Sequence, residues 1–298
     1  MIPLLSTKKI KLLEISKIST HVDKKYLQKK AVNGIFSYLK KDLEKYLEII
    51  ILVGAGSNGE DGILTGMKIN KFFPEKKIIY LSLLGKDSSK KNRILANNLG
   101  IALEELGSKN NILSSKKKNL LLLDAVLGIS SKLPIRKDLS EKLKLINNYK
   151  KRSGSTIISL DIPTGFDPES GESDKYCLLS DCILILGYQV PGTLYDSSKF
   201  RSKEYIDLGI TKKDLVLAKS IGDAPQIITK SWSKSKYPKR SEVSHKKSFG
   251  SHLIIAGSDK YPGAALLCAK SSNMSGSGLT TVASTSKIIE KIIKDVPE

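Results

Sequence analysis

Histidine, cysteine, tryptophan and arginine are all scarce in this chain of 298 residues. There are three His, three Cys and one Trp, and only five of the 50 basic residues are Arg (Arg93, Arg136, Arg152, Arg201 and Arg240). The cysteines, Cys177, Cys182 and Cys268, are odd in number, sit in or beside apolar runs, and show neither C-x-x-C nor His-paired spacing. That pattern argues against a disulfide framework and against zinc. They read instead as small buried hydrophobes in a reducing compartment, and the expected location is the cytoplasm. The net charge of +20 invites a nucleic-acid reading, but base and phosphate recognition leans on the planar fork of Arg. The surplus is also spread along the chain, so a lysine-biased, solvated surface is expected and no nucleic-acid partner. No apolar run approaches the roughly 20 residues of a membrane helix. Met1 to Leu5, followed by Lys8 and Lys9, lacks the basic lead and long apolar stretch of a secretory signal. No membrane association is expected.

What is present is alternation. Apolar runs at 48–53, 77–84, 119–126, 156–160 and 182–187 are separated by helix-compatible segments at 63–73, 88–106 and 137–149. Continuous apolar strands between helices predict an α/β fold, a Rossmann-like, mostly parallel sheet covered by helices on both faces. Ligands of such sheets sit at the carboxyl ends of the strands. With 40% hydrophobic residues the chain can bury one or two cores. The helix-forming region from Asp23 to Tyr46 could pack against a second copy, which leaves room for a homo-oligomer.

The first run leads into Val53–Gly62, V-G-A-G-S-N-G-E-D-G, where Gly54, Gly56 and Gly59 match G-x-G-x-x-G. A strand that hands off to such a turn is a place to hold phosphate. A dehydrogenase fingerprint is disfavoured, because the next strand has no acid at its end to hold a ribose hydroxyl and the nearest, Asp87, lies beyond Gly85 and Lys86. The turn therefore reads as nucleotide-binding with other duties for its polar residues.

Three strands end in polar turns that carry an acid: Asp61 after the first, Asp124 at the third, Asp161 at the fourth. Asn58, Asp124 and Thr164 each offer a hard oxygen at the end of a different strand, a set that suits an alkali or alkaline-earth cation. The plainer alternative is that each caps a turn or helix start. Asp161 heads D-I-P-T-G, where Pro163 stiffens the turn and Gly165 permits close approach. Its carboxylate is a candidate proton shuttle at the mouth of a cleft, or again a cap. The segment Gly128–Pro134 could wrap phosphates, with Lys132 or Arg136 supplying charge.

The set G-A-G-S-N-G-E-D-G (54–62), D-A-V-L-G (124–128), D-I-P-T-G (161–165) and D-L-G-I (207–210) resembles the NAD(P)H-hydrate epimerases, the amino-terminal half of the bifunctional NAD(P)H-hydrate repair enzymes. The resemblance continues through His245-Lys246, Phe249-Gly250, Ile255-Ala256-Gly257-Ser258, Tyr261-Pro262-Gly263-Ala264-Ala265 and Ser277-Gly278-Leu279. These are similar to the opening of an ADP-dependent NAD(P)H-hydrate dehydratase domain, a ribokinase-like α/β fold. The resemblance implies an isomerase acting on hydrated NADH and NADPH. It also implies a substrate loop at Ser57, Asn58, Gly59, Glu60 and Asp61, and a second at Gly128, Ile129, Ser130, Ser131, Lys132, Leu133 and Pro134. Potassium ligands are implied at Asn58, Asp124 and Thr164, and a catalytic, substrate-contacting acid at Asp161.

This chain departs from the family at Ser57 (usually Asn), Glu60 (Gly), Ser130 (Gly) and Val190 (Lys). The later glycine-rich G-T-G-D segment, which holds the dehydratase's ADP or ATP and its catalytic Asp, has no counterpart before Pro297-Glu298. The expectation is an epimerase-like domain over 1–212, a lysine- and serine-rich linker over 213–245, and an incomplete, inactive dehydratase-like fragment over 246–298. A non-catalytic nucleotide-binding or scaffold module is the competing reading.

Overall fold

The structure is a computed structural model that describes residues 2–19, 24–86, 88–106, 119–211, 216, 225–228, 230–237 and 241–296. Asp23, Asp87, most of 213–224, Thr229, residues 238–240 and Pro297-Glu298 lie outside the described residues. Two compact units divide at residues 229 and 230.

In the first unit, a two-residue strand β1 (Ile2–Pro3) leads into helices α1 (Thr7–Ser19) and α2 (Lys24–Lys40). There follow β2 (Glu48–Val53), α3 (Ser57–Phe72), β3 (Lys77–Ser82), α4 (Lys90–Asn98) and β4 (Leu103–Glu105). The unit continues with β5 (Leu120–Ala125), α5 (Lys137–Ser153), β6 (Thr156–Leu160), β7 (Ser180–Leu186), α6 (Gly192–Tyr195) and β8 (Phe200–Ile206). A last strand, β9 (Gln226–Ile227), pairs antiparallel with β1. The large sheet has the order β4-β3-β2-β5-β6-β7-β8, and every neighbouring pair in it is parallel.

Every residue of β2 and of β5 is buried, as continuous apolar runs in a doubly covered sheet require. Ile49, Ile51 and Val53 pack on one face with Ile35 and Phe36 of α2 and Ile63 and Ile69 of α3. Ile50 and Leu52 pack on the other with Leu139, Leu143, Ile146 and Tyr149 of α5. Burying each such Ile or Leu side chain contributes about 2 kcal/mol. A third cluster joins Leu5, Ile10 and Leu13 to Ile162, Phe166, Ile183 and Val190, which seats α1 against the far half of the sheet.

The chain moves from β2 outward to β3 and β4, returns to the opposite side of β2 as β5, and then proceeds outward to β8. Its direction therefore reverses between β2 and β5, and an open parallel sheet presents a crevice at such a switch point. The expected strands are all present; β4 and β8 are additional. Both are edge strands, and β8 buries only its terminal Phe200 and Ile206, with Arg201, Ser202, Tyr205 and Glu204 exposed between them. An edge strand protected by charge carries no continuous apolar signal. Helix α3 begins at Ser57 rather than near Ile63, because the glycine-rich turn is itself the first helical turn.

In the second unit the passage read as a linker holds a short helix, α7 (Lys230–Lys236). Beyond it, β10 (Ser251–Ile255) and β11 (Leu279–Ala283) pair in parallel. Helices α8 (Gly263–Met274) and α9 (Ser286–Ile292) enclose a small core of Ala265, Ile288 and Ile292. No helix among the described residues is long and apolar enough to cross a membrane.

Candidate active site

Asp124, at the end of β5, is fully buried. Its Oδ2 accepts from the Ser159 hydroxyl (2.7 Å) and the Thr164 backbone N–H (2.9 Å). Its Oδ1 accepts from the Thr164 hydroxyl (2.6 Å) and the Val126 N–H (3.3 Å). Burial pushes the Asp124 carboxyl above the ordinary carboxylate range, and these four bonds oppose the shift without cancelling it. The Thr164 hydroxyl also accepts from the Leu127 N–H (3.1 Å). Asp124 thus ties the exits of β5 and β6 into one polar floor.

Asn58 stands in the first turn of α3. Its Nδ2 donates to the carbonyls of Leu127 (3.1 Å) and Leu160 (3.3 Å), which turns its Oδ1 away from both. That oxygen is buried and has no hydrogen-bond partner among the described residues, an uncommon condition for a buried acceptor.

Asp161 directly follows β6 with φ of 71°, in the left-handed region that Asp tolerates better than most residues. Its Oδ1 accepts from the Leu186 N–H (3.3 Å) and its Oδ2 faces the Ile129 N–H (3.5 Å). A Cβ on Gly128 would lie 3.2 Å from Asp161 Oδ2 and 3.6 Å from Asn58 Cβ. Asp161, Gly128 and Asn58 therefore meet at one point above the floor.

The glycine turn owes its course to close packing. A Cβ on Gly54 would lie 1.7 Å from the Val126 carbonyl oxygen, so only glycine lets the exits of β2 and β5 touch. Asn92, buried on α4, donates through Nδ2 to the carbonyls of Gly54 (2.6 Å) and Gly56 (3.0 Å) and fastens the turn from outside. Beside it, Lys91 pairs with Glu60, and Gln28 of α2 donates to the same carboxylate (3.0 Å). Burial pushes the Glu60 carboxyl up, but the bonds from Lys91 and Gln28 outweigh it and hold it below its ordinary value. The negative charge that the sequence places beside the loop is therefore neutralised. Neither Asn92, Lys91 nor Gln28 is singled out by the sequence, since each lies in a polar helix far along the chain from the turn it supports.

A cavity of about 360 Å³ opens here, lined by Ser57, Asn58 and Asp61 from the first loop, Gly128 to Ser131 from the second, and Asp161. Gly59 and Glu60 are not part of its lining, and the buried Asp124 and Thr164 lie outside it. Lys132, Leu133 and Pro134 are not part of its lining, and Lys132 is exposed. Val190 is buried in the apolar cluster with Leu5 and Ile10. A larger cavity, about 780 Å³, lies at Met67, Lys71, Ile78, Tyr80 and Leu99 and contains none of the predicted residues; burial pushes its Tyr80 hydroxyl up to about 12.

No cluster of three or more His, Cys, Asp or Glu among the described residues could hold a metal. Asn58, Asp124 and Thr164 instead offer oxygens bearing a single formal charge, and one of those oxygens is buried and unpaired. Such a set fits a hard cation of low charge.

The fold and site define a doubly wound α/β protein with its polar site at the switch point. Residues 24–192 match the family described as YjeF-related protein N-terminus, and the chain belongs to that family. Residues 252–298 match the family described as NAD(P)H-hydrate dehydratase. The bifunctional NAD(P)H-hydrate repair enzyme Nnr of Dictyoglomus turgidum is 30% identical over 290 residues, covering 92% of this chain and 54% of that protein. The NAD(P)H-hydrate epimerase of Elusimicrobium minutum is 24% identical over 184 residues, covering 59% of this chain and 79% of that one. The NAD(P)H-hydrate epimerase of Paramecium tetraurelia is 29% identical over 138 residues, 46% and 55% of the two chains. The chain spans about half the length of most of these curated relatives. The crystal structure of the yeast protein YNL200c superposes with a TM-score of 0.59 at 16% identity, over 76% of this chain and 96% of that one, a likeness of fold.

Proposed function

We propose that the first unit interconverts the R and S forms of hydrated NADH and NADPH. The observation that carries this reading is the placement of the Asp161 carboxylate and the Asn58 side chain, whose oxygen is buried and unpaired, around Gly128 at a cavity on the switch point. Family membership and the names of the relatives support the substrate.

In hydrated NADH the hydroxyl sits on C6, beside the ring nitrogen. Asp161 delivers a proton to that hydroxyl. The C6–O bond breaks, water departs, and the nitrogen lone pair forms the C=N bond of an iminium. Water then adds to the opposite face of C6 and returns a proton to the Asp161 carboxylate, so atoms and charge balance over the cycle. Gly128 leaves room for the ring beside this carboxylate, and the N–H groups of Ile129 and Leu186 orient it. Asn58, Asp124 and Thr164 would hold a potassium ion, which when bound would supply a fixed positive charge at the site. The proposal concerns the first unit alone.

Replacing Asp161 by Asn keeps the left-handed backbone conformation, which Asn also tolerates, and removes the proton carrier. The rate of R-to-S conversion above the spontaneous rate, followed by chromatography, should fall about 100-fold or more. An unchanged rate in a folded variant would remove Asp161 from the mechanism.

A further inference from the structure

We propose that Lys11 and Lys24 form an anion-binding subsite that holds the phosphates of the nucleotide, a role that the sequence motifs do not assign. The inference rests on the nucleotide reading above and deepens it.

The cavity lining carries both signs of charge. Its carboxylates are Asp61, near the start of α3, and Asp161 after β6; its cations, Lys11 and Lys24, come from α1 and α2, and Lys24 also acts on the nearby Glu60 carboxylate, which Lys91 and Gln28 already pair. A diphosphate carries two negative charges and is repelled by the lining carboxylates. The lysines match that charge, and Lys binds phosphate well as a compact point charge.

Both lysines are aimed by apolar neighbours. Lys24, Leu27, Gln28 and Ala31 recur at i, i+3, i+4 and i+7 and all line the cavity, so Lys24 belongs to the inward face of α2. Gln28 on that face is fixed by its bond to Glu60. On α1, the buried Ile10 and Leu13 flank Lys11 and join the cluster that contains Val190. Helix α1 thus packs on an apolar cluster and brings Lys11 to the cavity.

The test measures binding to the full chain by calorimetry, with NADPH and with its phosphate-free fragment, reduced nicotinamide riboside, as probes. The variants are Lys11→Ala, Lys24→Ala and the double variant. Lys29→Ala, an exposed lysine of α2 outside the cavity lining, serves as control. The double variant should lose about tenfold or more in NADPH affinity, with a shallower dependence on salt, while riboside affinity and the control stay unchanged. Equal loss for both probes, or no loss for NADPH, would overturn the subsite. The two readings fail separately. A wild-type chain that binds NADPH through these lysines without epimerising hydrated NADH retains the subsite and loses the enzyme; unchanged NADPH binding by an active double variant does the reverse. A wild-type chain that binds neither probe overturns both.

Discussion

Asn92 shows at the scale of one residue how much of this site depends on groups that no motif contains. Its two donated bonds go to the carbonyls of Gly54 and Gly56, and Asn58 follows two residues later. Asn92→Ala would leave both carbonyls without that donor, so we expect a loss of about 2 kcal/mol in unfolding free energy by denaturant titration. A higher KM for hydrated NADH should accompany it if the turn carries the substrate loop. A variant with native stability and native KM would show the bonds to be incidental. The contrast with Asp161 is instructive. The sequence exposes Asp161 through its D-I-P-T-G setting, yet only the structure shows its left-handed backbone and its nearness to Asn58 across Gly128.

At the scale of elements, strand–turn units with a continuous apolar signal were legible and charged edges were not. Glu48–Val53 and Thr156–Leu160 lie where the apolar runs place them, because buried parallel strands have no polar face to interrupt the pattern. The short edge β4 and the charged edge β8 are stabilised by pairing with a neighbour rather than by their own hydrophobicity. The structure brings part of the expected site together. Asp124 and Thr164 share one polar floor and Asn58 lies beside it, but Lys132 to Pro134 are not part of the cavity lining, since the course of a loop is set by packing that spacing does not encode.

Glu60 belongs to this scale as well, because its charge is settled by three helices: it lies on α3 and is paired by Lys91 of α4 and Gln28 of α2. Its carboxyl is held below the ordinary value of 4.5 in the folded chain. The stability it contributes is therefore present above that ordinary value and lost as pH falls through the lower folded value. Thermal unfolding of the wild type and of Glu60→Gln should differ near neutral pH, and the gap should close as the pH drops below about 4. A gap independent of pH would mean that the pairing contributes no charge-dependent stability.

At the scale of the molecule, the chain resolves into two units; the expected linker of 213–245 overlaps the first, whose β9 (Gln226–Ile227) pairs with β1, and we propose that the lysine- and serine-rich passage after β9 joins them. Limited proteolysis should cut between 229 and 247 and leave a stable amino-terminal fragment. Cleavage spread evenly over 24–211 would contradict that division. The larger question is whether the assembled first unit turns over. The central claim is tested most directly by giving the full chain an enriched R epimer of hydrated NADH, with potassium or with sodium at equal ionic strength, and following the S epimer by chromatography. S should appear well above the spontaneous rate, with potassium required for the full acceleration. Nucleotide binding with no acceleration in either salt would contradict it and leave a binding module in place of an epimerase.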